Sequence, residues 1–172
     1  MPTLQRTVIA GLSALMLGGG AAAANAEPPL AQSDRDFLIA AHQSNMTEIA
    51  AGGRANAMSS CPAVRELAPA LVADHLRLDG MVTAVADRYG LMLPALPDAE
   101  QVQTLAAIAP KTGRDFDVSY LRAQEEGHLA AARNGHRELD SGVAPEARGV
   151  AEQSTPIVEE HLAEVRTALD RC

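Results

Sequence analysis

Three histidines and one glutamate stand where a metal-binding chemistry would need them. Read with a helical period, Val64, Ala68, Leu71, His75, Leu78, Val82, Val85 and Tyr89 form one stripe, apolar or aromatic except at His75. His128 and His161 lie midway along two further helical segments, the latter beside Ile157, Leu162, Val165 and Ala168. Glu48 is the single ionisable group on a fourth stripe made of Phe37, Ala41, Ser44, Glu48, Ala51, Ala55 and Met58. Three neutral imidazoles and a carboxylate suit one zinc, iron, manganese or copper ion, and helical-bundle cores hold such sites. The competing reading is a buried polar layer, in which Glu48, Asp74 or tyrosine hydroxyls satisfy the imidazoles and the layer sets helix register.

Other chemistries find less support. A di-iron bundle repeats Glu-x-x-His on two helices. Here Glu125 precedes His128 at that spacing, whereas Val72 and Val158 occupy the equivalent positions before His75 and His161. Asp74 and Glu160 are adjacent to their histidines, about 100° round the helix, and so do not share a face with them. No strand-turn-helix presents a nucleophilic serine, and Gly52-Gly53 lacks the pattern of a phosphate loop. His42 and His136 fall off the stripes and read as solvated, as do Glu125, Glu126, Glu159, Glu160 and Glu164, which form an acidic face.

Four long helices must position these groups. The first is expected from about Asp34 to Met58, with Ser33 as N-cap and Asp36 completing a capping box. The second starts at Pro62, where a fixed φ suits the first helical position, and stops before Gly90. The third runs from about Arg114 to Leu139 and the fourth from Pro145 to about Arg171. Pro69 and Pro156 fall inside helices and should bend them. Strand signals are nearly absent.

The long helices are joined by short turns within the first and last pairs. Between the pairs, Leu91–Gly113 carries three prolines and a short helix expected from Asp98 to Ile108. A segment of that length can run back along the whole molecule, as in an all-α, ferritin-like four-helix bundle with a long crossover between the second and third helices. The two cysteines support the same topology. Cys61 lies in the first turn and Cys172 ends the last helix, and only the crossover brings them to one end of the bundle, within reach of a disulfide. In that arrangement Glu48, His75, His128 and His161 all lie roughly 15–21 Å below the Cys61 end, a spread of little over one turn.

The chain has 172 residues, enough for one domain with a sizeable core. Arg6, the apolar stretch Val8–Leu17 and the small residues Ala24-Asn25-Ala26 read as an export signal, residues 1–26, removed to leave a bundle domain over 27–172. Beyond the signal no stretch could span a bilayer, so the mature protein is expected in the periplasm or associated with the envelope. A net charge of −8 argues against nucleic acid or an anionic membrane as partner. With two Phe, two Tyr and no Trp, base stacking and sugar platforms are poor guesses.

The order Phe37-Leu38…Ala40-Ala41, Thr47-Glu48-Ile49, Asp74-His75, Phe116-Asp117…Tyr120-Leu121, His128 and Pro156…His161-Leu162 resembles the exported bacterial family known as domain of unknown function 4142, whose members are often described as predicted outer-membrane proteins. The resemblance implies a ferritin-like four-helix bundle over nearly the whole mature chain. It implies no reaction. Near His128 the chain departs from the usual form, with Gln124-Glu125-Glu126-Gly127 in place of a more apolar stretch. The reading adopted from the sequence is an exported non-enzymatic bundle serving an envelope interaction or stress role; the alternative is a metal-binding or redox protein using Glu48, His75, His128 and His161.

Overall fold

Alanine-rich segments with a 3.6-residue apolar period leave the backbone one economical solution, long helices packed stripe to stripe. The computed structural model describes residues 29–172, and the export-signal reading of residues 1–26 lies outside them. It contains α1 (Gln32–Met58), α2 (Pro62–Arg88), α3 (Ala99–Ile108), α4 (Gly113–Ser141) and α5 (Pro145–Arg171), with no strand among the described residues. Within those residues no helix is long and apolar enough to cross a membrane.

Each long helix packs against two others: α1 against α2 and α4, and α5 against α4 and α2. Cys61 at the start of α2 is bonded to Cys172 at the end of α5, with Cα atoms 5.8 Å apart. At the same end, Asp117 near the start of α4 accepts hydrogen bonds from the backbone N–H groups of Ser60 and Cys61. At the other end Asp34, in the first turn of α1, accepts from Val143 and Ala144, just before α5. Consequently α2 and α4 run in the same direction, and the segment containing α3 returns along the full length of the molecule between them.

Several expectations need correction in detail. Ser33 is not the N-cap of α1; the helix begins at Gln32, because the Asp34 carboxylate reaches back to the N–H of Ala31 at 2.9 Å and draws Ser33 into the first turn. Helix α4 starts at Gly113, whose φ of +58° only glycine adopts without strain, and ends at Ser141 rather than Leu139. Pro69 and Pro156 lie inside α2 and α5, as expected. Close approach of α1 to α2 depends on Gly52: a Cβ there would stand 2.6 Å from Val72 Cγ2.

The core is divided. An apolar cluster at the disulfide end includes Ala55, Leu71, Phe116, Tyr120, Leu121 and Val165. A second at the far end includes Phe37, Leu38, Val82, Ala86, Val150 and Ala151. Between them lies a layer of buried polar groups: Asn45, Glu48, His75, Gln124, His128 and His161. Burying so many polar atoms is unfavourable unless each finds a partner, so the partners decide what this layer is for.

Candidate metal centre

His75 on α2, His128 on α4 and His161 on α5 are brought to the midpoint of the bundle by the stripes that bury their helices. Their ring centroids form a nearly equilateral triangle, with separations of 5.4, 5.4 and 5.5 Å. All three are at least 96% buried. One ligand nitrogen from each lies within 4.8 Å of the others.

Hydrogen bonds on the outer side of each ring set its tautomer. His128 Nδ1 faces the backbone carbonyl of Gln124 at 2.8 Å; a carbonyl only accepts, so Nδ1 carries the proton and Nε2 a bare lone pair. His75 Nδ1 donates to Asn45 Oδ1 at 2.8 Å, which frees its Nε2 in the same way. His161 Nε2 donates to Asp74 Oδ2 at 3.2 Å, and its buried Nδ1 has no partner. Each ring therefore spends its N–H on an acceptor outside the triad. Donation of the other ring N–H to a carboxylate or carbonyl is also how metal-bound histidines are oriented and made more basic.

Two of the lone pairs then confront each other. His75 Nε2 and His128 Nε2 are 3.4 Å apart. Neither has a proton to share once both Nδ1 positions are protonated, so the contact is repulsive unless a positive species lies between. Two nitrogens each 2.0–2.1 Å from one ion at the tetrahedral angle stand about 3.3–3.4 Å apart. The observed separation fits that geometry.

The electrostatics keep His75 and His161 neutral. Burial, followed by the charge of His128 and His161, pushes His75 down to about 3, despite an opposing pull from Asp74. Burial also holds His161 below its ordinary value, although Asp74 draws it up. Neutral imidazole is the form that binds metal.

Glu48, expected to join the histidines, stands behind His128. Its Oε1 is 3.9 Å from His128 Nδ1, the nitrogen that points away from the other two rings. Burial pushes the Glu48 carboxyl up, while the charge of His128 and a hydrogen bond from Gln124 pull it back. The neighbouring Tyr120 hydroxyl is buried without a partner and is pushed above its ordinary value, by burial and then by the charge of Glu48.

Sequence reasoning missed Asn45 and the Gln124 carbonyl. Asn45 had a signal, since it sits one helical turn before Glu48 on the buried side of α1. The Gln124 carbonyl had none, because a main-chain acceptor four residues back on the same helix carries no residue identity. His42 is not solvated as expected. It is largely covered, with Nδ1 2.7 Å from Asp79 and Nε2 3.1 Å from the Pro94 carbonyl, and so ties the start of the crossover to α1 and α2. His136 is exposed and bonded to Glu159. Within the acidic face Glu125 is paired with Arg122 and Arg166 rather than left to solvent.

These features define a class: an all-helical protein with a three-histidine cluster at its centre and a disulfide joining its second and last long helices. The chain belongs to the family described as Domain of unknown function (DUF4142), whose model matches residues 19–168. In fold it is similar to the crystal structure of a DUF305 fragment from Deinococcus radiodurans, with a TM-score of 0.75 and 17% identity, covering 84% of this chain and 100% of that one. At that identity the likeness concerns the fold alone. No curated protein matches the chain.

Proposed function

We propose that this protein binds a single transition-metal ion between His75 Nε2, His128 Nε2 and His161 Nδ1, within a ferritin-type four-helix bundle exported to the periplasm or envelope after loss of residues 1–26. The observation that carries the reading is the 3.4 Å contact between two imidazole lone pairs whose N–H groups are both committed elsewhere. Neutral nitrogen donors favour zinc or copper over manganese, which prefers carboxylate, carbonyl and water oxygens. Three protein ligands leave a fourth position for water or a small ligand. Asp74, Asn45 and the Gln124 carbonyl would act as the outer partners that fix the three rings.

A second reading is favoured by those same outer bonds. Each imidazole has one acceptor, so the layer can also serve an exported, non-enzymatic bundle by fixing helix register, with an envelope interaction or stress role. Metal analysis separates the two. Protein prepared without a His tag, stripped with chelator and dialysed against Zn²⁺, should retain one ion per chain. It should lose that ion when His75, His128 or His161 is replaced by Leu. Failure of the stripped wild type to take up Zn²⁺ would leave the structural layer as the better account.

A further inference from the structure

A pocket of about 180 Å³ opens between α1, α3 and α4, on the side of the bundle covered by the crossover helix. Asp98, Glu100 and Glu126 stand at its exposed rim, and Ser44, Thr47 and Thr104 also line it. Glu48 and Gln124 form its floor, 4% and 2% exposed. Both are short of partners: Glu48 Oε2 and Gln124 Oε1 are buried acceptors with no hydrogen bond. Among the described residues no Lys or Arg lines the pocket. A buried acceptor without a donor is costly, and two at the floor of one pocket, with carboxylates at its rim and apolar side chains between, call for a positive guest.

The floor also adjoins the metal centre. The other Glu48 oxygen is 3.9 Å from His128 Nδ1, and the opposite nitrogen of that ring belongs to the triad. Gly127 allows this approach; a Cβ there would press on Glu48 Oε1 at 3.0 Å. The covering helix is lightly held, because α3 buries only Ile108, and segments with few buried contacts open most easily.

We infer that this pocket is the entry site for the cation, which is held first by Glu48 and Gln124 beneath α3 and then passed to the three imidazoles. The inference rests on the metal-binding reading. It also explains why a carboxylate that does not face the centre of the triad is nonetheless buried beside it. An entry past Asp74, which is partly exposed and bonded to His161, is the competing route, but that carboxylate is already engaged by Arg77 and His161.

The test is the rate of Zn²⁺ uptake by stripped protein, supplied as the chloride and followed through a zinc-responsive dye. Ala130 lines the pocket from the exposed face of α4, away from the triad, so Ala130→Trp fills the pocket without touching a ligand. Uptake should slow about tenfold or more in Glu48→Gln and in Ala130→Trp, as expected when a focusing, anionic route is removed. In Ala130→Trp the dissociation constant should stay within about threefold of wild type, because the site lies apart from the ligands. Normal uptake by both variants would overturn the entry route while leaving the metal centre intact. Slowing by Asp74→Asn alone would move the route to the α2–α5 side and overturn it equally. No uptake by the wild type would remove the centre and the route together.

Discussion

Asp34 and Asp117 do the same work at opposite ends of the molecule. Asp117, on α4, accepts the Ser60 and Cys61 N–H groups and the Ser60 hydroxyl, and so closes the α1–α2 turn. Asp34, on α1, accepts from Val143, Ala144 and Ala31, and closes the α4–α5 turn while capping its own helix. Each helical hairpin is thus fastened by a buried carboxylate from the other. Burial pushes Asp34 up, but the three N–H groups outweigh it and hold the carboxyl below its ordinary range. Asp34→Ala should cost about 2–4 kcal/mol, the sum of a lost cap and buried donors left without partners. Urea melts at pH 7 check this, and a loss below about 1 kcal/mol would mean that water replaces the carboxylate readily.

The disulfide ties the last residue to the turn between the first two helices, a sequence separation of 111. The chain-entropy model puts its contribution at roughly 4–5 kcal/mol, an upper figure because native strain subtracts. Reduction, or the double change Cys61→Ser and Cys172→Ser, should lower the melting temperature without unfolding the protein. The bond joins α2 to α5, which pack together anyway. Circular dichroism of reduced and oxidised protein tests this; loss of the helical signal at 25 °C on reduction would contradict it.

Glu138 is 2% exposed, and neither carboxyl oxygen has a hydrogen-bond donor. Burial first, then its contact with Asp34, pushes it up to about 7, with Arg148 pulling the other way. A carboxyl raised in the folded state binds its proton more tightly there than in the unfolded chain. Its contribution is therefore full below about pH 4.5 and is lost as pH rises through about 7. Glu138→Gln, which stays neutral, should be more stable than wild type at pH 8 by about 1–3 kcal/mol, with the difference fading toward pH 5. Equal stabilities at pH 8 would show that Glu138 ionises without penalty.

The helices and their order were legible because each depends on local signals: Pro62 and Pro145 at first helical positions, Gly90 after α2, Asp98 before α3. The crossover was legible because Cys61 and Cys172 report on the relative direction of helices far apart in sequence. The meeting of His75, His128 and His161 followed from depth along the bundle. What the sequence withheld was rotation about each helix axis. Glu48 shares the depth of the histidines, yet a fraction of a turn places it behind His128 rather than among the converging ring nitrogens. Carboxylates that fasten a distant turn, such as Asp34 and Asp117, were equally hidden, because their partners are main-chain N–H groups far away in sequence.

The pH dependence of metal binding tests the triad most directly. Three imidazoles titrating near the ordinary value of about 6.5 would compete with metal for three protons, so affinity would fall with a slope near three per pH unit in acid. Burial changes this for His75, held down at about 3, and in the same direction for His161. Above about pH 4 His75 has no proton to displace, and His161 resists taking one. The slope of log affinity for Zn²⁺ between pH 7.5 and 5.5 should therefore lie well below three. The same exclusion makes the metal-free protein acid-sensitive. The unfolded chain takes up a proton at position 75 below about 6.5 that the folded chain refuses until about 3. Each pH unit in that window removes about 1.4 kcal/mol of stability for that one proton. His75→Leu should abolish this part of the acid loss together with Zn²⁺ binding. Calorimetric titrations at three pH values, with melts of both proteins in metal-free buffer, measure the two effects separately. A binding slope near three, with acid sensitivity unchanged by His75→Leu, would mean that these rings titrate as if in water, and the dry triad would have to be abandoned.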